Sequence, residues 1–372
     1  MNEIYDTDGV HAQVILSSLE SHESVAPSPF REPLPQLRSY LKSVLTEAEY
    51  QGLRWHKSTD YENVYFPESS NGIPHTGFGN LARINDIRRI NKYLELLNVN
   101  MEVGQFLVIS LETKDSRKER ILNKYPRGFN RVYYTFDFIL KRVMPKWKPT
   151  RKLYFSITKG RNRVLTQTEA KGRLVSCGFD IVSVNKLEHT TWIVAKKARL
   201  PTYDMQPTYG ALIRLRRVGK GGKFIHVLKF RTMHPYSEYL QEYVYFKYQL
   251  EEGGKFNNDF RNTSYGKWMR KYWVDELPMF INFFRGDLKL VGVRPLSIHY
   301  FELYPRELQD LRIQVKPGLV PPYYADLPSG LEEIQESEKR YLEAYLEHPW
   351  RTDIRYFFKS VYNILFKRAR SS

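Results

Sequence analysis

The spacing of apolar side chains becomes regular near residue 84. From there, apolar residues recur every three or four positions, which predicts a helix with one face made of Ile84, Ile87, Ile90, Leu94 and Leu97. The run from 105 to 111 is almost entirely apolar and predicts a buried strand. Together these two segments indicate an α/β unit.

A second helix is predicted from Thr166 to Cys177. Thr166 and Glu169 have the spacing of a capping box, and Gly178 can end the helix. Alternation of apolar residues then predicts two strands, at 180–184 and 191–197. This order resembles the last third of a class I methyltransferase fold, but it lacks the glycine-rich first turn that would hold S-adenosylmethionine. We therefore expect a degenerate, non-catalytic Rossmann-like module.

The first 80 residues show little periodicity. They predict loops around one helix near 41–53. Gly77 and Gly79 have the spacing of part of a nucleotide-binding turn, but we assign them to a loop because no strand is predicted before them. The predicted organisation is an irregular region at 1–80, the Rossmann-like module at 81–200 and a second α/β domain at 201–372.

One segment of the module, 130–148, mixes aromatic and aliphatic residues with basic ones. This composition suits a helix at a membrane surface, where rings lie at headgroup depth and cations contact lipid phosphates. It equally suits a helix that packs on the sheet and keeps its cations in water. The sequence does not choose between the two.

The second domain opens with a basic segment, 213–234. It contains seven Lys or Arg residues and no acidic residue, and its glycines at 219, 221 and 222 predict a hairpin turn. Such a turn between basic strands can bring backbone N–H groups and cations close to an anion.

Asp275 and Glu276 are adjacent at a predicted helix start. Pro278 suits the first turn of that helix, and Gly286 suits its end. The positive end of a helix stabilises carboxylates and also binds phosphate, so a nucleophile and an anionic substrate could share the site. The alternative is structural, with Asp275 as an ordinary N-cap residue.

Three blocks of the chain, at 216–233, 273–295 and 315–322, resemble the bacterial sugar transferase family. These enzymes are polyprenyl-phosphate sugar-1-phosphate transferases, also called monotopic phosphoglycosyltransferases. The blocks contain R-V-G-x-x-G-K-F, K-F-R-T-M, D-E-L-P, G-D-x-x-L-V-G and P-G-L, in the family's order and spacing over about half of the chain. Several motifs in series are more specific than any one of them.

The resemblance implies a mixed α/β phosphoglycosyltransferase catalytic domain and assigns its site residues. Asp275 would be the nucleophile that forms an aspartyl-phosphosugar intermediate, and Glu276 would help to bind Mg²⁺. The substrate-binding residues implied by the family motifs are Lys229, Arg231, Arg270, Arg294 and Pro295.

Some positions depart from the family pattern. Met279 replaces glutamine, Val293 replaces proline, and Pro321-Pro322 replace a small residue and glycine. Family members also carry an apolar re-entrant membrane helix before the R-V-G block, whereas residues 198–209 are a polar, proline-containing linker here. We expect the N-terminal module to have replaced that anchor.

Composition narrows the choice of partner. The net charge of +17 indicates an anionic partner, but no nucleic-acid-binding module is recognised. The single cysteine, Cys177, excludes an internal disulfide and fits a reducing compartment. No signal peptide or membrane span is predicted.

The family resemblance and the composition together predict a peripheral enzyme on the cytoplasmic face of the bacterial inner membrane. It would use a nucleoside-diphosphate sugar, for which a UDP-sugar is expected, and a polyprenyl phosphate to initiate a surface glycan. The alternative is a non-catalytic nucleotide-sugar-binding or scaffold protein in a polysaccharide assembly complex. A protein partner or homo-oligomer stays open.

The C-terminal segment 350–372 carries six Lys or Arg residues and one Asp. Helical spacing places on one face Ile354, Phe357, Phe358, Val361 and Leu365. This stripe either packs on the catalytic domain or lies in an anionic membrane surface. In the first case only the terminal cations Lys367, Arg368 and Arg370 would touch lipid.

Overall fold

The computed structural model describes residues 35–59, 74–203, 210–241, 243 and 259–367. These residues fall into two compact units. The first consists of the described residues of Met1–Pro207 and Pro235–Gln241, and the second of those of Thr208–His234 and Glu242–Ser372. The structure is mixed α/β, which confirms the predicted fold class.

The first unit contains one mixed sheet with helices on both faces. Its strands are β1 (Leu53–His56), β2 (Gly77–Arg83), β3 (Phe106–Leu111), β4 (Phe179–Leu187) and β5 (Thr190–Lys197). Its helices are α1 (Pro35–Lys42), α2 (Glu47–Gln51), α3 (Ile90–Val99), α4 (Lys114–Lys124), α5 (Phe129–Phe138), α6 (Lys148–Thr158) and α7 (Gln167–Ser176). A π-helical turn, Ile139–Val143, continues α5, and 3₁₀ turns cover Ile84–Asp86 and Ser237–Leu240.

The strand order is β1-β2-β3-β5-β4. β1, β2 and β3 run parallel, whereas β5 lies between β3 and β4 and runs antiparallel to both. The predicted strands at 105–111, 180–184 and 191–197 are confirmed. The predicted helix 166–177 is confirmed as α7, where the Thr166 hydroxyl caps the N-terminus and Gly178 follows the last turn with φ 85°.

The almost entirely apolar sequence of β3, in which Ser110 is the polar residue, is explained by burial on both faces. Leu107, Ile109 and Leu111 belong to the apolar cluster that includes α3 and α7, while Phe106 and Val108 belong to the cluster that includes α1. Every residue of the strand is therefore buried, and alternation between apolar and polar residues is not required.

Two predictions for the first unit need correction. The helix expected from Ile84 begins only at Ile90, and Ile84 and Ile87 are buried in and just after a 3₁₀ turn that precedes it. The single helix expected near 41–53 is instead the pair α1 and α2 followed by β1. Thr46 and Glu49 form a capping box that starts α2 as a separate helix.

The assignment of Gly77 and Gly79 to a loop was wrong. Both residues lie in β2, which pairs with β1 and β3. Gly79 is required there because a side chain would collide with the ring of Trp55 on the neighbouring strand. The remaining residues predicted to be irregular, 1–34 and 60–73, lie outside the described residues, as do 204–209 of the linker.

The second unit contains two small sheets surrounded by helices. Its strands are the antiparallel pair β6 (Leu212–Val218) and β7 (Phe224–Phe230) and the parallel pair β8 (Lys289–Val291) and β9 (Gly318–Val320). Its helices are α8 (Ser264–Lys271), α9 (Met279–Phe284), α10 (Ile298–Glu302), α11 (Arg306–Gln314), α12 (Tyr323–Asp326), α13 (Leu331–Glu347) and α14 (Pro349–Phe366). The basic hairpin is confirmed, and Gly221 and Gly222 supply its positive φ angles.

The C-terminal helix α14 packs through polar residues. Its fully buried positions are Thr352, Ser360 and Asn363. The predicted apolar stripe is divided, because Phe357 packs in the core and Val361 is half-buried, but the other three members are exposed. Packing within the second unit therefore accounts for only part of the stripe, and Arg368 and Arg370 lie outside the described residues.

No helix in the described part of the chain combines the length and apolar content that a membrane span requires.

Candidate active site

Asp275 and Glu276 lie in a 3₁₀ turn, Val274–Glu276, between α8 and α9. The helix predicted to start at these carboxylates begins one turn later, with Pro278 as its N-cap residue. It ends where predicted, since Gly286 follows the last turn with φ 80°. Because α9 has only six residues, its dipole is small, and nearby cations must supply most of the positive potential.

The turn is fixed by a residue that the sequence analysis missed. Trp273 has φ 55°, a backbone conformation that is costly for a bulky residue. Its indole Nε1 donates a hydrogen bond to the Tyr324 hydroxyl at 3.0 Å, and the two rings meet edge to face. These contacts hold the chain in the conformation that places Asp275 two residues later.

Asp275 is 8% exposed. Burial raises the pKa of its carboxyl group above the usual value. Lys229 and Arg270 oppose this increase, while the charge of Glu276 adds to it. A buried carboxylate with a raised pKa beside specific charges is typical of a functional site.

Glu276 pairs with a strand residue. Its carboxylate accepts a hydrogen bond from Lys229 Nζ at 2.6 Å. Lys229 lies on β7, so this ion pair connects the second strand of the basic hairpin to the 3₁₀ turn. The structure thus brings together Lys229, Asp275 and Glu276, three residues that the family motifs select from separate parts of the sequence.

Three arginines of the second unit interact electrostatically within this region. Arg270 interacts with Asp275. Burial disfavours the charged form of Arg294, but Tyr323 and Glu276 favour it, and the pKa of Arg294 lies above the usual value. The pKa of Arg217 is lowered by burial and by the charge of Arg294. Within the described ranges none of the three forms a salt bridge with a carboxylate. Their positive charges are therefore available to bind an added anion.

Arg270 is nevertheless held in place. Its Nε donates to the hydroxyl of Thr232 at 3.0 Å. Thr232 belongs to the K-F-R-T-M block, and its carbonyl accepts hydrogen bonds from the backbone and side chain of Thr263, the N-cap residue of α8. This block therefore positions the helix that carries Arg270.

Asn282 connects α9 to β7 and was also missed as a site residue. It is fully buried. Its side-chain oxygen accepts from the Leu228 N–H at 2.9 Å, and its amide donates to the His226 carbonyl at 2.8 Å and to the Asp287 carboxylate at 3.0 Å. A single polar residue in an otherwise apolar helix was the sequence signal that could have identified Asn282. The bond to Asn282 gives Asp287 a structural role.

The other two predicted substrate-binding residues are held by the local fold. Arg231 is buried, and its Nε donates to the Gly210 carbonyl at 3.0 Å. Pro295 is buried beside Leu296, whose carbonyl accepts a hydrogen bond from Val218 on β6. Neither contact reaches the two carboxylates, and substrate binding by Arg231 and Pro295 stays a prediction.

Met279 and Val293, which depart from the family pattern, are core residues. Met279 packs with Val227 and Leu288, and Val293 packs with the cluster that contains Tyr341. Substitution at these positions therefore changes the packing beneath the site rather than its charged groups.

No three His, Cys, Asp or Glu side chains cluster as a metal site among the residues that the structure describes. Mg²⁺, however, commonly binds through one or two carboxylates together with substrate phosphates and waters. Asp275 and Glu276 supply such a pair, so the residues fit a Mg²⁺ ion that is held jointly with a diphosphate.

The second unit is thus an α/β fold that places two carboxylates and a lysine in one region with three arginines, Arg217, Arg270 and Arg294, that form no salt bridge with a described residue. The model of the family described as bacterial sugar transferase matches residues 180–367, just over half of the chain. The chain belongs to this family. The match begins in β4 of the first unit and extends through α14.

Individual relatives agree with this assignment. The chain is 31% identical over 157 residues to the undecaprenyl-phosphate galactose phosphotransferase of Salmonella typhimurium, covering 40% of this chain and 32% of the relative. It is 36% identical over 110 residues to the galactosyl transferase CpsE of Streptococcus agalactiae, covering 29% and 24%. It is 30% identical over 163 residues to the UDP-glucose:undecaprenyl-phosphate glucose-1-phosphate transferase of Escherichia coli, covering 42% and 32%. The chain thus matches only about a third or less of each of these relatives.

Proposed function

We propose that this protein transfers a sugar 1-phosphate from a nucleoside-diphosphate sugar, of which UDP-sugars are the expected class, to a polyprenyl phosphate. The observation that carries the proposal is the grouping of Asp275 and Glu276 with Lys229 and Arg270, beside Arg294. A diphosphate requires several cations, and a two-step displacement requires a nucleophile. Relatives whose names specify UDP-sugars and undecaprenyl phosphate support the choice of substrates.

In the first step, a carboxylate oxygen of Asp275 attacks the phosphorus that bears the sugar. The bond from this phosphorus to the bridging oxygen of the diphosphate breaks, and the nucleoside monophosphate leaves with the bonding electrons. An aspartyl-phosphosugar remains. Asp275 must be ionised to attack, so Lys229 and Arg270, which favour its charged form, assist this step.

In the second step, an oxygen of the polyprenyl phosphate attacks the same phosphorus. The bond to Asp275 breaks, and the free carboxylate is restored. Arg294 and Arg270 suit the binding of the phosphate oxygens, because a guanidinium group remains charged and can make paired hydrogen bonds. Water must be kept from the acyl phosphate between the two steps.

Mg²⁺ is the proposed metal ion, and it would neutralise part of the diphosphate charge when bound. Glu276 would be its ligand and would exchange its ion pair with Lys229 for this role. Glu276→Gln should therefore shift the Mg²⁺ titration of the reaction to higher concentrations, because a neutral amide is a weaker ligand for a hard cation. An unchanged titration would remove Glu276 from this role.

We further propose a peripheral location on the cytoplasmic face of the inner membrane. The outward face of α14 is apolar, with exposed side chains at Trp350, Ile354, Phe358, Tyr362 and Leu365. Arg351 and Arg355 are exposed on the same helix, and Lys367 is exposed directly after it. A helix of this kind can bind an anionic lipid surface by its apolar face and its cations.

The decisive experiment uses the purified full chain. A panel of UDP-sugars is incubated with polyprenyl phosphate and Mg²⁺, and release of UMP is measured. In parallel, UDP-sugar labelled at the phosphate next to the sugar is supplied without acceptor, and the protein is tested for covalent label. We expect UMP release with at least one sugar and label that is absent from Asp275→Asn. Binding of a UDP-sugar without UMP release would instead favour the non-catalytic scaffold.

A further inference from the structure

The first unit exposes an apolar stripe on α5 and its π-helical extension. Exposed apolar residues recur every three or four positions, and they are Phe129, Val132, Phe136, Ile139 and Val143 on this helix and Trp147 at the start of α6. Each is at least 41% exposed, and Val132 and Phe136 are 69% and 65% exposed. Contiguous exposed apolar surface of this kind marks an interaction site.

The opposite face of the same helix is polar and buried. Asp137 accepts two hydrogen bonds from the guanidinium group of Arg117, at 2.6 and 2.7 Å, and both side chains are buried. The Asn130 amide donates to the Leu122 carbonyl at 2.9 Å. These bonds fix the rotation of the helix. Turning the apolar stripe inward would break a buried ion pair, so outward exposure is specified by the fold.

The segment that carries the stripe is strongly basic. Residues 124–161 contain eleven Lys or Arg residues and one acidic residue, the buried Asp137, and two of these cations, Arg142 and Lys146, pair with the buried Glu169. Arg127 and Arg131 are exposed at the start of α5 and line a cavity of about 400 Å³ there. Lys152 is exposed on the following helix, α6. A protein surface of mixed charge would not match this pattern, whereas a uniformly anionic surface would.

We propose that this face, Phe129 to Trp147, binds the surface of an anionic lipid bilayer. The first unit would then be a membrane-binding module in its own right. Aromatic and aliphatic side chains would enter the headgroup region while the flanking cations contact lipid phosphates. The choice of a membrane as occupant rests on the proposed function, because the acceptor substrate is a lipid.

The test compares double substitutions in the full chain. Val132→Ser with Phe136→Ser removes the centre of the stripe. The matched control is Val103→Ser with Leu200→Ser, whose side chains are 72% and 69% exposed. Val103 precedes β3 and Leu200 follows β5. Because these two strands are antiparallel, both residues lie at the same end of the strands, opposite the end from which β3 leads to α4.

Binding is measured by co-sedimentation at low salt with vesicles of phosphatidylglycerol and phosphatidylcholine, and with vesicles of phosphatidylcholine alone. We expect the stripe variant to bind the anionic vesicles about tenfold more weakly, and the control variant to bind like the wild type. Brominated phosphatidylcholine in the anionic vesicles should quench tryptophan emission, and Trp147→Phe should remove part of that quenching. A third pair on α14, Ile354→Ser with Phe358→Ser, should add to the loss.

Unchanged vesicle affinity in the stripe variant would overturn the proposal. If that variant changes the oligomeric state but not vesicle binding, the face is an interface between protein molecules, and the proposal also fails. The outcome is separable from that of the proposed function. The stripe variant should release UMP normally with acceptor dispersed in detergent, and Asp275→Asn should bind vesicles normally.

Discussion

Asp137 in the first unit and Asp275 in the second are equally buried, at 7% and 8% exposure, yet their surroundings differ. Asp137 is bound through both oxygens to Arg117, which also donates to Glu112. Asp275 forms no salt bridge with a described residue, and burial raises its pKa. The charge of Asp137 is neutralised by Arg117, whereas the carboxylate of Asp275 is left available to react or to bind a ligand.

The same contrast separates the cations of the two regions. Glu112 accepts from Arg117 and Arg120 and lies 3.4 Å from Arg83, so each of these arginines has a carboxylate partner. Near Asp275, by contrast, Arg270 and Arg294 have none among the described residues. Internal neutralisation indicates a structural network, whereas uncompensated positive charge indicates a site for an anion. The predictions below test this distinction with matched substitutions.

The largest expected effect is that of Asp275→Asn on turnover. A carboxamide is not a nucleophile, so UMP release should fall about a thousandfold or more. Stability should not fall. Because the folded-state pKa of Asp275 is raised, the ionised carboxylate lowers stability above that pKa, and the neutral amide removes this cost. Activity is measured by UMP release and stability by thermal unfolding. A stable variant with normal turnover would exclude the covalent mechanism.

The matched change in the first unit, Asp137→Asn, should have the opposite outcome. It leaves Arg117 buried without its bidentate partner, which should lower the free energy of unfolding by about 3 kcal/mol. Turnover per folded molecule, with acceptor in detergent, should be unchanged. Denaturant unfolding and active-site titration separate the two effects. Wild-type stability would show that the ion pair does not hold α5 in place.

A smaller effect is expected for Arg294→Gln. Loss of this proposed phosphate ligand should lower kcat/KM for the UDP-sugar about ten- to a hundredfold while folding is retained. Arg285→Gln is the control, because Arg285 lies in the same motif but is exposed. Steady-state kinetics on both variants provide the comparison. Equal losses in the two variants would assign the effect to general charge rather than to the site.

The smallest effect concerns pH. Turnover should fall on the acid side as Asp275 becomes protonated, at a pH above the usual range for an aspartate because burial raises its pKa. Glu276 adds to this increase, so Glu276→Gln should move the acid limb to lower pH. The pH profiles are measured at saturating Mg²⁺. An acid limb that stays in place or moves upward would show that a different group controls it.

Much of the fold could be predicted where one chemical signal dominated. The apolar run of β3, the Thr166 cap of α7 and the glycines of the basic hairpin each specify local structure by themselves. The motif blocks selected Lys229, Asp275 and Glu276 from distant parts of the sequence, and the structure places them in contact or adjacent. These predictions depended either on interactions between residues that are close in the sequence or on motifs that are repeated across a family.

The remaining features depend on long-range contacts. The positive φ of Trp273 is stabilised by Tyr324, 51 residues later, and no local pattern indicates that bond. The mixed apolar and basic composition of 130–148 suited both a helix at a membrane surface and a helix packed on the sheet. Arg117, outside that segment, binds the buried Asp137 and leaves apolar side chains of α5 exposed. Gly79 was misassigned because its partner Trp55 lies on a strand that the sequence did not predict.

Asn363 supports the site but is synthesised after the other residues that form it. The buried Asn363 amide donates to the Tyr324 and Ala325 carbonyls at 3.0 and 2.8 Å. These bonds support the helix whose Tyr324 hydroxyl binds Trp273. On a translating ribosome, chain segments that emerge first fold first, so α8, the 3₁₀ turn and α9 leave the exit tunnel before Asn363 does. The nascent protein therefore carries Asp275, the proposed nucleophile, well before it has the support that fixes the position of this residue.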